Sequence, residues 1–323
     1  MRTAIACGLF VAVAACGTDG TGATDGGNNG SDGGSNMPAD AFVPDPGYTK
    51  LISRTWSVPP GSADTYRCVR LTLTEDTYVT NIMAQAPLGT HHTVLSIANG
   101  GSAAGADGEY NCSVGTLGMV MLYASGVGTS PLDFPTDVGV KIPAGSQIHL
   151  NLHLFNASDD PLEGESGIWV KQSSTPPPIL AEMVFAGTTS IFIQPPAQGQ
   201  QPQPRSFSGG CDVPAGGGYT LFAVWPHMHQ IATHQKVELT RGGNTMALHD
   251  MPFHFAEQNY YKKDPMIEVL PGDHIEVTCT YLNTTGQLVT IGDGSNQEMC
   301  FSGLYRYPAR NAGLFQCTEG PGI

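Results

Sequence analysis

The side chains best suited to metal chemistry are two histidines and a methionine in the C-terminal half. His227 and His229 are separated by one residue, and Met299 follows well downstream. In an extended strand, residues i and i+2 project to the same face, so both imidazoles can reach one ion. A soft thioether favours Cu(I), whereas zinc sites use Cys thiolates or His with carboxylates. The spacing alone also fits two histidines on a polar strand face without metal.

A second group of histidines lies in the N-terminal half. His91 and His92 are adjacent, and His153 lies in a later apolar segment. Adjacent residues of a regular strand point to opposite faces, so both can bind one ion only where the backbone is distorted, as Gly89 would allow. Otherwise, one of the pair is simply a surface residue. His149 shares a strand face with His153 but lies roughly 13 Å away at about 3.3 Å per residue, so we expect it to be structural.

In type and order, these ligands resemble those of the copper type II, ascorbate-dependent monooxygenases, the peptidylglycine α-hydroxylating and dopamine β-monooxygenase family. The segment 292–300, which ends in Glu-Met-Cys, is similar to the family's Met-bearing segment. The resemblance covers roughly residues 50 to 317 and implies two coppers per chain. The ligands of an electron-transfer copper would be His91, His92 and His153. Those of an O2-activating copper, the catalytic group, would be His227, His229 and Met299.

The activity implied by this resemblance is hydroxylation of a C–H bond in a small organic substrate, with O2 and an external reductant such as ascorbate. Two other functions remain open. One is a copper-binding or electron-transfer protein without oxygenase turnover, and the other is a surface adhesin with incidental histidines. Glu298 is either a group that supports the ligands or a solvated carboxylate. We expect a monomer.

The substrate is predicted from two departures from the peptide-amidating members of the family. Those members place an Arg two positions before the H-x-H pair and a Tyr four positions after the Met ligand, where this chain has Trp225 and Gly303. An indole cannot replace the bidentate grip of a guanidinium on a carboxylate. We therefore expect a neutral or aromatic small molecule as substrate. Trp225 is either a flat surface beside that substrate or a core residue.

The cysteine pattern predicts disulfides rather than a zinc site. Outside the first 16 residues there are six cysteines with no C-x-x-C pair, which is typical of an exported protein. The residues alone leave the pairing open. The pairs that the resemblance implies are Cys68–Cys112, Cys279–Cys300 and Cys211–Cys317.

The N-terminus reads as an export signal. Residues 1–16 combine an early Arg, an apolar stretch too short to span a bilayer and a lipobox-like end at Cys16, which predicts acylation of that cysteine. A plain secretory signal is the alternative. Residues 17–48 are rich in Gly and Asp and predict a disordered tether. We therefore expect an exported protein, either secreted or held at the cell envelope by this lipid anchor alone.

The remaining chain predicts an all-β fold of two consecutive jelly-roll-like antiparallel sandwich domains, at 49–175 and 179–317. Short runs rich in Val, Ile and Thr alternate with turn signals at 143–145, 242–244 and 271–273. Three prolines at 176–178 suggest the boundary between the domains.

A net charge of −14, from 14 Lys and Arg against 28 Asp and Glu, disfavours nucleic acid as a partner. Small-molecule substrate and O2 are the expected partners.

Overall fold

The computed structural model describes residues 42–62, 64–98, 105–113, 119–126, 128–311 and 313–321. The predicted signal peptide, Cys16 and most of the predicted tether lie outside these residues. The described residues form strands and no helix, and so contain no helix long and apolar enough to cross a membrane. The all-β prediction is confirmed.

Ten strands precede the proline segment, and they form two sheets. The strands are β1 Thr49–Val58, β2 Thr65–Thr72, β3 Thr77–Gln85, β4 Thr90–Ala98, β5 Gly108–Asn111, β6 Met119–Ser125, β7 Leu132–Asp133, β8 Val138–Ile142, β9 Gln147–Leu154 and β10 Leu162–Ser173. One sheet has the order β5-β2-β9-β4-β6. The other contains β1-β10-β3-β8, with β7 also paired to β3.

Twelve strands follow the prolines. They are β11 Ile179–Leu180, β12 Glu182–Thr188, β13 Phe192–Ile193, β14 Arg205–Asp212, β15 Tyr219–His227, β16 Ala232–Arg241, β17 Asn244–Pro252, β18 Tyr261–Val269, β19 His274–Tyr281, β20 Val289–Thr290, β21 Cys300–Tyr307 and β22 Cys317–Glu319. β11 adds to β8 of the preceding sheet. The remaining strands form the sheets β18-β15-β21-β12-β22 and β14-β19-β16-β17, with β13 and β20 as a separate pair.

The predicted turns separate the strands because their residues accept backbone conformations that strands do not use. Gly145 lies between β8 and β9 with φ +80°, and Gly272 lies between β18 and β19 with φ +88°. Gly242 and Gly243, with φ +55° and +82°, make the two-residue connection from β16 to β17. Positive φ costs a side-chain-bearing residue free energy but costs Gly little.

Each half builds a sandwich from the alternating inward side chains of two sheets. In the first half, Ile82 and Val170 of one sheet share a core with Leu95 and Leu150 of the other. A second core joins the last two sheets through side chains such as Val224, Leu304, Val237, Val277 and Tyr281. The sandwich prediction is therefore confirmed in both halves of the chain.

The sheet β18-β15-β21-β12-β22 contributes to both cores. Val224 and Leu304 point into the second core, whereas Phe185, Trp225 and Tyr305 belong to the first. Strand β21 is buried along almost its whole length because both of its faces are covered. The histidine pair 227 and 229 lies at the end of β15 in this shared sheet, which brings it close to the first sandwich.

Three disulfides connect strands or the residues that flank them in the described part of the chain. They are Cys68–Cys112, Cys211–Cys317 and Cys279–Cys300, with Cα–Cα distances of 5.8, 4.8 and 5.6 Å. These are the pairs that the resemblance implies. Cys279–Cys300 joins β19 to the first residue of β21, immediately after Met299.

Candidate metal centre

The three N-terminal histidines meet because strand β4 is irregular at its start. Its pairing with β9 shifts between Thr90 and His92, so His91 is the extra residue of a bulge, and His92 lies opposite His153. Gly89 precedes it with φ +97° and leaves no space for a side chain against Trp56. One ligand atom from each of His91, His92 and His153 lies within 4.8 Å of the others. The backbone distortion expected from the adjacent histidines is thus present.

The outer contacts of this cluster orient the rings. Asp64 Oδ1 lies 2.9 Å from His153 Nε2, which leaves Nδ1 of that ring for a metal. Tyr66 stacks on the His153 ring at 4.7 Å with 10° between the planes. Nδ1 of His91 is buried and has no hydrogen-bond partner among the described residues. The His91 ring packs against those of His92 and His153, and a buried nitrogen without a partner is available to a metal.

The C-terminal histidines also have one ring nitrogen engaged. His227 is the last residue of β15, and His229 follows the end of the strand rather than lying within it. The intervening Met228 is fully buried in the second core, so the two imidazoles still project away from that core. His229 Nδ1 lies 3.0 Å from the carbonyl oxygen of Gln297, and Nδ1 of His227 lies 2.9 Å from Gln258 Oε1. Nε2 of each ring remains for a metal.

Met299 is held next to these histidines by the buried carboxylate of Glu298. The Glu298 oxygens accept hydrogen bonds from the backbone N–H of His229 at 2.8 Å and of Ile231 at 2.9 Å. Burial raises the pKa of Glu298 to about 7, and these backbone donors oppose that rise. The Met299 carbonyl accepts a hydrogen bond from Tyr281 Oη at 2.7 Å. Glu298 is fully buried and holds the backbone beside the predicted ligands His229 and Met299, so the solvated alternative is wrong.

Residues of the segment that connects β17 to β18 separate the two histidine clusters. The Phe255 ring lies 5.0 Å from His91, 5.0 Å from His92 and 6.1 Å from His229, measured between centroids. The Gln258 side chain lies between His92 and His227, 2.9 Å from a nitrogen of each. The two clusters are thus neighbours across one layer of side chains.

Burial favours the neutral, metal-binding form of all five imidazoles. Desolvation lowers the pKa of His227 to about 3 and the pKa of His91 and of His229 to about 4. The neighbouring His229 adds to this effect at His227, and His153 adds to it at His91. The pKa of His92 and that of His153 are lowered for the same leading reason. At neutral pH no proton has to leave these rings before a metal binds.

The donor set fits copper. All six cysteines of the described residues are in disulfides, so none of them offers a thiolate of the kind that structural zinc uses. One cluster consists of three imidazoles. The other consists of the imidazoles of His227 and His229 and the thioether of Met299, which line the same cavity. Imidazole and thioether donors suit copper in both of its oxidation states.

A cavity of about 150 Å³ lies between the clusters. His92, His153, His227, His229 and Met299 line it, with an otherwise mainly apolar wall that includes Met121, Phe185, Phe301 and Phe315. None of the described lining residues is Lys or Arg.

Trp225 is a core residue, one of its two predicted alternatives. It is only 1 % exposed, its ring stacks on His227 at 4.8 Å, and its Nε1 donates to the Gln258 carbonyl at 3.1 Å. A Cβ at Gly303 would meet Met183 and Trp225 at 3.3 Å, so a Tyr there would require these side chains to shift. The indole stacks on His227 and also forms part of the cavity wall.

The sequence did not point to Asp64, Phe255 or Gln258. Each is brought to the histidines by a loop, and none lies at a spacing that a strand or turn period would mark. Phe255 and Gln258 contact histidines of the other half of the chain, and Asp64 contacts His153 within its own half, so only the three-dimensional contacts identify these residues.

Comparison with known proteins agrees with this geometry. Residues 197–319 match the family described as "Copper type II ascorbate-dependent monooxygenase, C-terminal domain". Dopamine beta-hydroxylase of Equus caballus is 27 % identical over 222 residues, which are 63 % of this chain and 35 % of that protein. The chain thus spans about a third of the length of this relative.

Solved structures give weaker likenesses. The major capsid protein P2 of bacteriophage PM2 is 12 % identical, with a TM-score of 0.28 over 80 % of this chain and 99 % of that one. An infectious bursal disease virus structure, Gt strain, is 12 % identical with a TM-score of 0.18 over 84 % and 75 %. The match of residues 197–319 and the relative that extends beyond them support the copper type II, ascorbate-dependent monooxygenase family for this chain.

Proposed function

We propose that this protein is a copper-dependent monooxygenase that hydroxylates a C–H bond of a small organic substrate, with O2 and an external one-electron donor such as ascorbate. The observation that carries the proposal is the meeting of two groups of histidines from opposite halves of the chain at one apolar cavity. Copper bound there would supply the redox chemistry with O2 that no side chain can perform.

The chain's own contribution is to hold the ligands in one orientation. Asp64, Gln258 and the Gln297 carbonyl each engage the outer nitrogen of a ring, so that ring cannot rotate without losing a hydrogen bond. His91, His92 and His153 would hold one copper. His227, His229 and Met299 would hold the other.

The position of the clusters supports transfer of electrons within the chain. His92 and His227 are linked through a single glutamine side chain, and Phe255 contacts rings of both clusters. An electron from a reductant at the three-histidine cluster would therefore have a short path to the cluster that contains Met299. The apolar wall would limit water at the place where the substrate carbon reacts.

The cavity wall supports a substrate without a carboxylate. Aromatic and Met side chains bind flat apolar groups, and the described lining has no guanidinium or ammonium to pair with an acid. The substrate that we propose is a neutral or aromatic small molecule. Peptides ending in glycine are expected to be poor substrates.

We also propose that the protein is exported, with Cys16 as its lipid attachment point. Three disulfides support an oxidising compartment. Replacing Cys16 by Ser should move the protein from the membrane to the soluble fraction with an unchanged mature body. Tight membrane binding by this variant would exclude Cys16 as the anchor.

One experiment separates the oxygenase from a copper carrier. The purified protein should bind two coppers per chain and consume O2 in the presence of ascorbate and a panel of small aromatic substrates. Mass spectrometry with labelled O2 should find one labelled oxygen atom in the product. Two bound coppers with no substrate-dependent O2 uptake would instead indicate a copper-binding or electron-transfer protein, and the absence of tight copper binding would refute both.

A further inference from the structure

The Gln258 side chain is a direct link between the two histidine clusters. Its Oε1 lies 2.9 Å from His227 Nδ1, and its Nε2 lies 2.9 Å from His92 Nε2. The residue is 3 % exposed. Its carbonyl accepts from Trp225 Nε1 at 3.1 Å and from Thr129 Oγ1 at 3.2 Å, which fixes the backbone from which the amide extends.

The two ends of an amide have different capacities, and in the orientation that Gln258 has here they assign the hydrogen positions on both rings. The amide oxygen can only accept, so His227 carries its hydrogen on Nδ1 and keeps a free lone pair on Nε2. The amide nitrogen can only donate, so the lone pair of His92 is on Nε2 and its hydrogen is on Nδ1. His227 is therefore ready for a metal at Nε2, but His92 is not ready at either nitrogen.

Metal binding by His92 is incompatible with the hydrogen bond that Gln258 donates to it. If Nε2 binds the metal, its lone pair is no longer available to the amide. When Nδ1 binds instead, the hydrogen moves to Nε2, and two donors then face each other across 2.9 Å. Both routes require the amide to release His92 or to turn over.

We propose that Gln258 couples the two copper sites, so that filling one weakens the other. The proposal rests on the ligand sets of the proposed function. With only the first cluster filled through His92 Nδ1, the amide turns over, accepts from His92 Nε2–H and donates to His227 Nδ1. That orientation moves the hydrogen of His227 to Nε2, the nitrogen that its own metal needs.

With both clusters filled, one amide oxygen faces two N–H donors. The Phe255 carbonyl, 3.2 Å from His92 Nε2, offers a partial alternative acceptor, but it is also 3.2 Å from the Gln258 amide nitrogen. The cost of the second metal is therefore about one hydrogen bond, or roughly a fivefold loss of affinity. The coupling must be reciprocal, because it is a difference between equilibrium states.

The test measures Cu(I) affinity and needs no turnover. Cu(I) is titrated anaerobically against a chromogenic chelator into the wild-type protein and into His153→Ala, in which the first cluster is disabled. The site that contains Met299 should bind Cu(I) about fivefold more tightly in His153→Ala than in the wild type with its first cluster filled.

Two variants of Gln258 make the test specific. Gln258→Leu removes both hydrogen bonds at similar volume, so the His153→Ala substitution should no longer change affinity at the other site. Gln258→Glu offers acceptors to both N–H groups, so both sites should bind Cu(I) more tightly than in Gln258→Leu. Asn259→Leu alters the neighbouring residue and should keep the fivefold difference.

Nitrogen NMR of the metal-free protein with labelled histidine gives an independent readout. His92 and His227 should both carry the hydrogen on Nδ1, and the Gln258→Leu substitution should shift that preference in both rings. A His92 with its hydrogen on Nε2, or an equal Cu(I) affinity with the first cluster filled and disabled, would overturn the proposal. Failure of both clusters to bind Cu(I) would instead overturn the proposed function.

Discussion

The ring nitrogens of the five histidines have different partners, and this difference determines what each residue contributes. His153 has the carboxylate of Asp64 at its outer nitrogen, whereas His92 in the same cluster has only the amide of Gln258 and the Phe255 carbonyl. A carboxylate increases the electron density on an imidazole more than a neutral acceptor does, so His153 should be the strongest donor of its cluster.

Replacing His153 by Ala should remove one copper per chain and stop the supply of the second electron. The matched control is His149→Ala, on the same strand and also buried, but bonded to Tyr110 Oη at 2.7 Å instead of joining the cluster. Copper analysis should find about one equivalent in the first variant and two in the control. Two equivalents in both variants would remove His153 from the ligand set.

Replacing Met299 by Ile should keep the fold and the copper of the first cluster but abolish hydroxylation. The change keeps a side chain of similar size and removes the thioether that would favour Cu(I). Product formation should fall by at least about a hundredfold if this ligand is needed in the transition state. Near wild-type turnover, with normal thermal stability, would contradict the assignment.

At this scale, the sequence could predict residues whose chemistry is unusual but not the residues that orient them. The positions of the Met, His and Cys residues could be recognised in the sequence, because few other roles require these side chains in this order along the chain. Asp64 and Gln258 are common polar residues, and their roles arise only where loops from different parts of the chain meet.

At the scale of elements, one bulge and one strand end create the site. The bulge at His91 brings two adjacent side chains to one cluster. Strand β15 ends at His227, so the backbone N–H of His229 is outside the sheet ladder and donates a hydrogen bond to Glu298. The sequence predicted the strands because the alternation of apolar and polar residues can be recognised within each short segment. It predicted a distortion at Gly89 but not its form, since the shift depends on pairing with β9.

The Cys68–Cys112 disulfide should stabilise the edge of the sheet that carries His92 and His153. It closes a separation of 44 residues between β2 and the end of β5. Replacing both cysteines by Ala should lower the free energy of unfolding by about 4 kcal/mol in the chain-entropy description. Urea unfolding of the metal-free protein measures this, and an unchanged midpoint would show that the bridge adds no stability.

For the whole molecule, buried neutral histidines make the metal-free protein sensitive to acid. Burial lowers the pKa of His91, His92, His149, His153, His227, His229 and His249. The unfolded chain has histidine pKa values near 6.5, so below that pH it binds more protons than the folded chain. The contribution of these neutral rings to the free energy of unfolding is therefore fully present above about pH 6.5 and is lost as the pH falls towards 4.

The expected result is a lower urea midpoint for the metal-free protein at pH 5 than at pH 7.5. His249 lies outside both clusters, and burial lowers its pKa to about 4. Replacing His249 by Asn removes one of these groups. The fall in the free energy of unfolding between pH 7.5 and pH 5 should then be smaller by the contribution of one proton. An equal or higher midpoint at pH 5 would show that these rings are not held neutral in the folded state.

The sheet that serves both cores has a consequence for how this chain can be divided. The prolines at 176–178 mark a boundary in the sequence, but a fragment starting after them would leave Phe185, Phe222, Trp225 and Tyr305 without the side chains that cover them. Such a face is large and apolar enough to drive aggregation. The C-terminal half is therefore not a module that can be transplanted alone, and any recombinant or evolutionary exchange of this copper-binding half has to carry a partner surface with it.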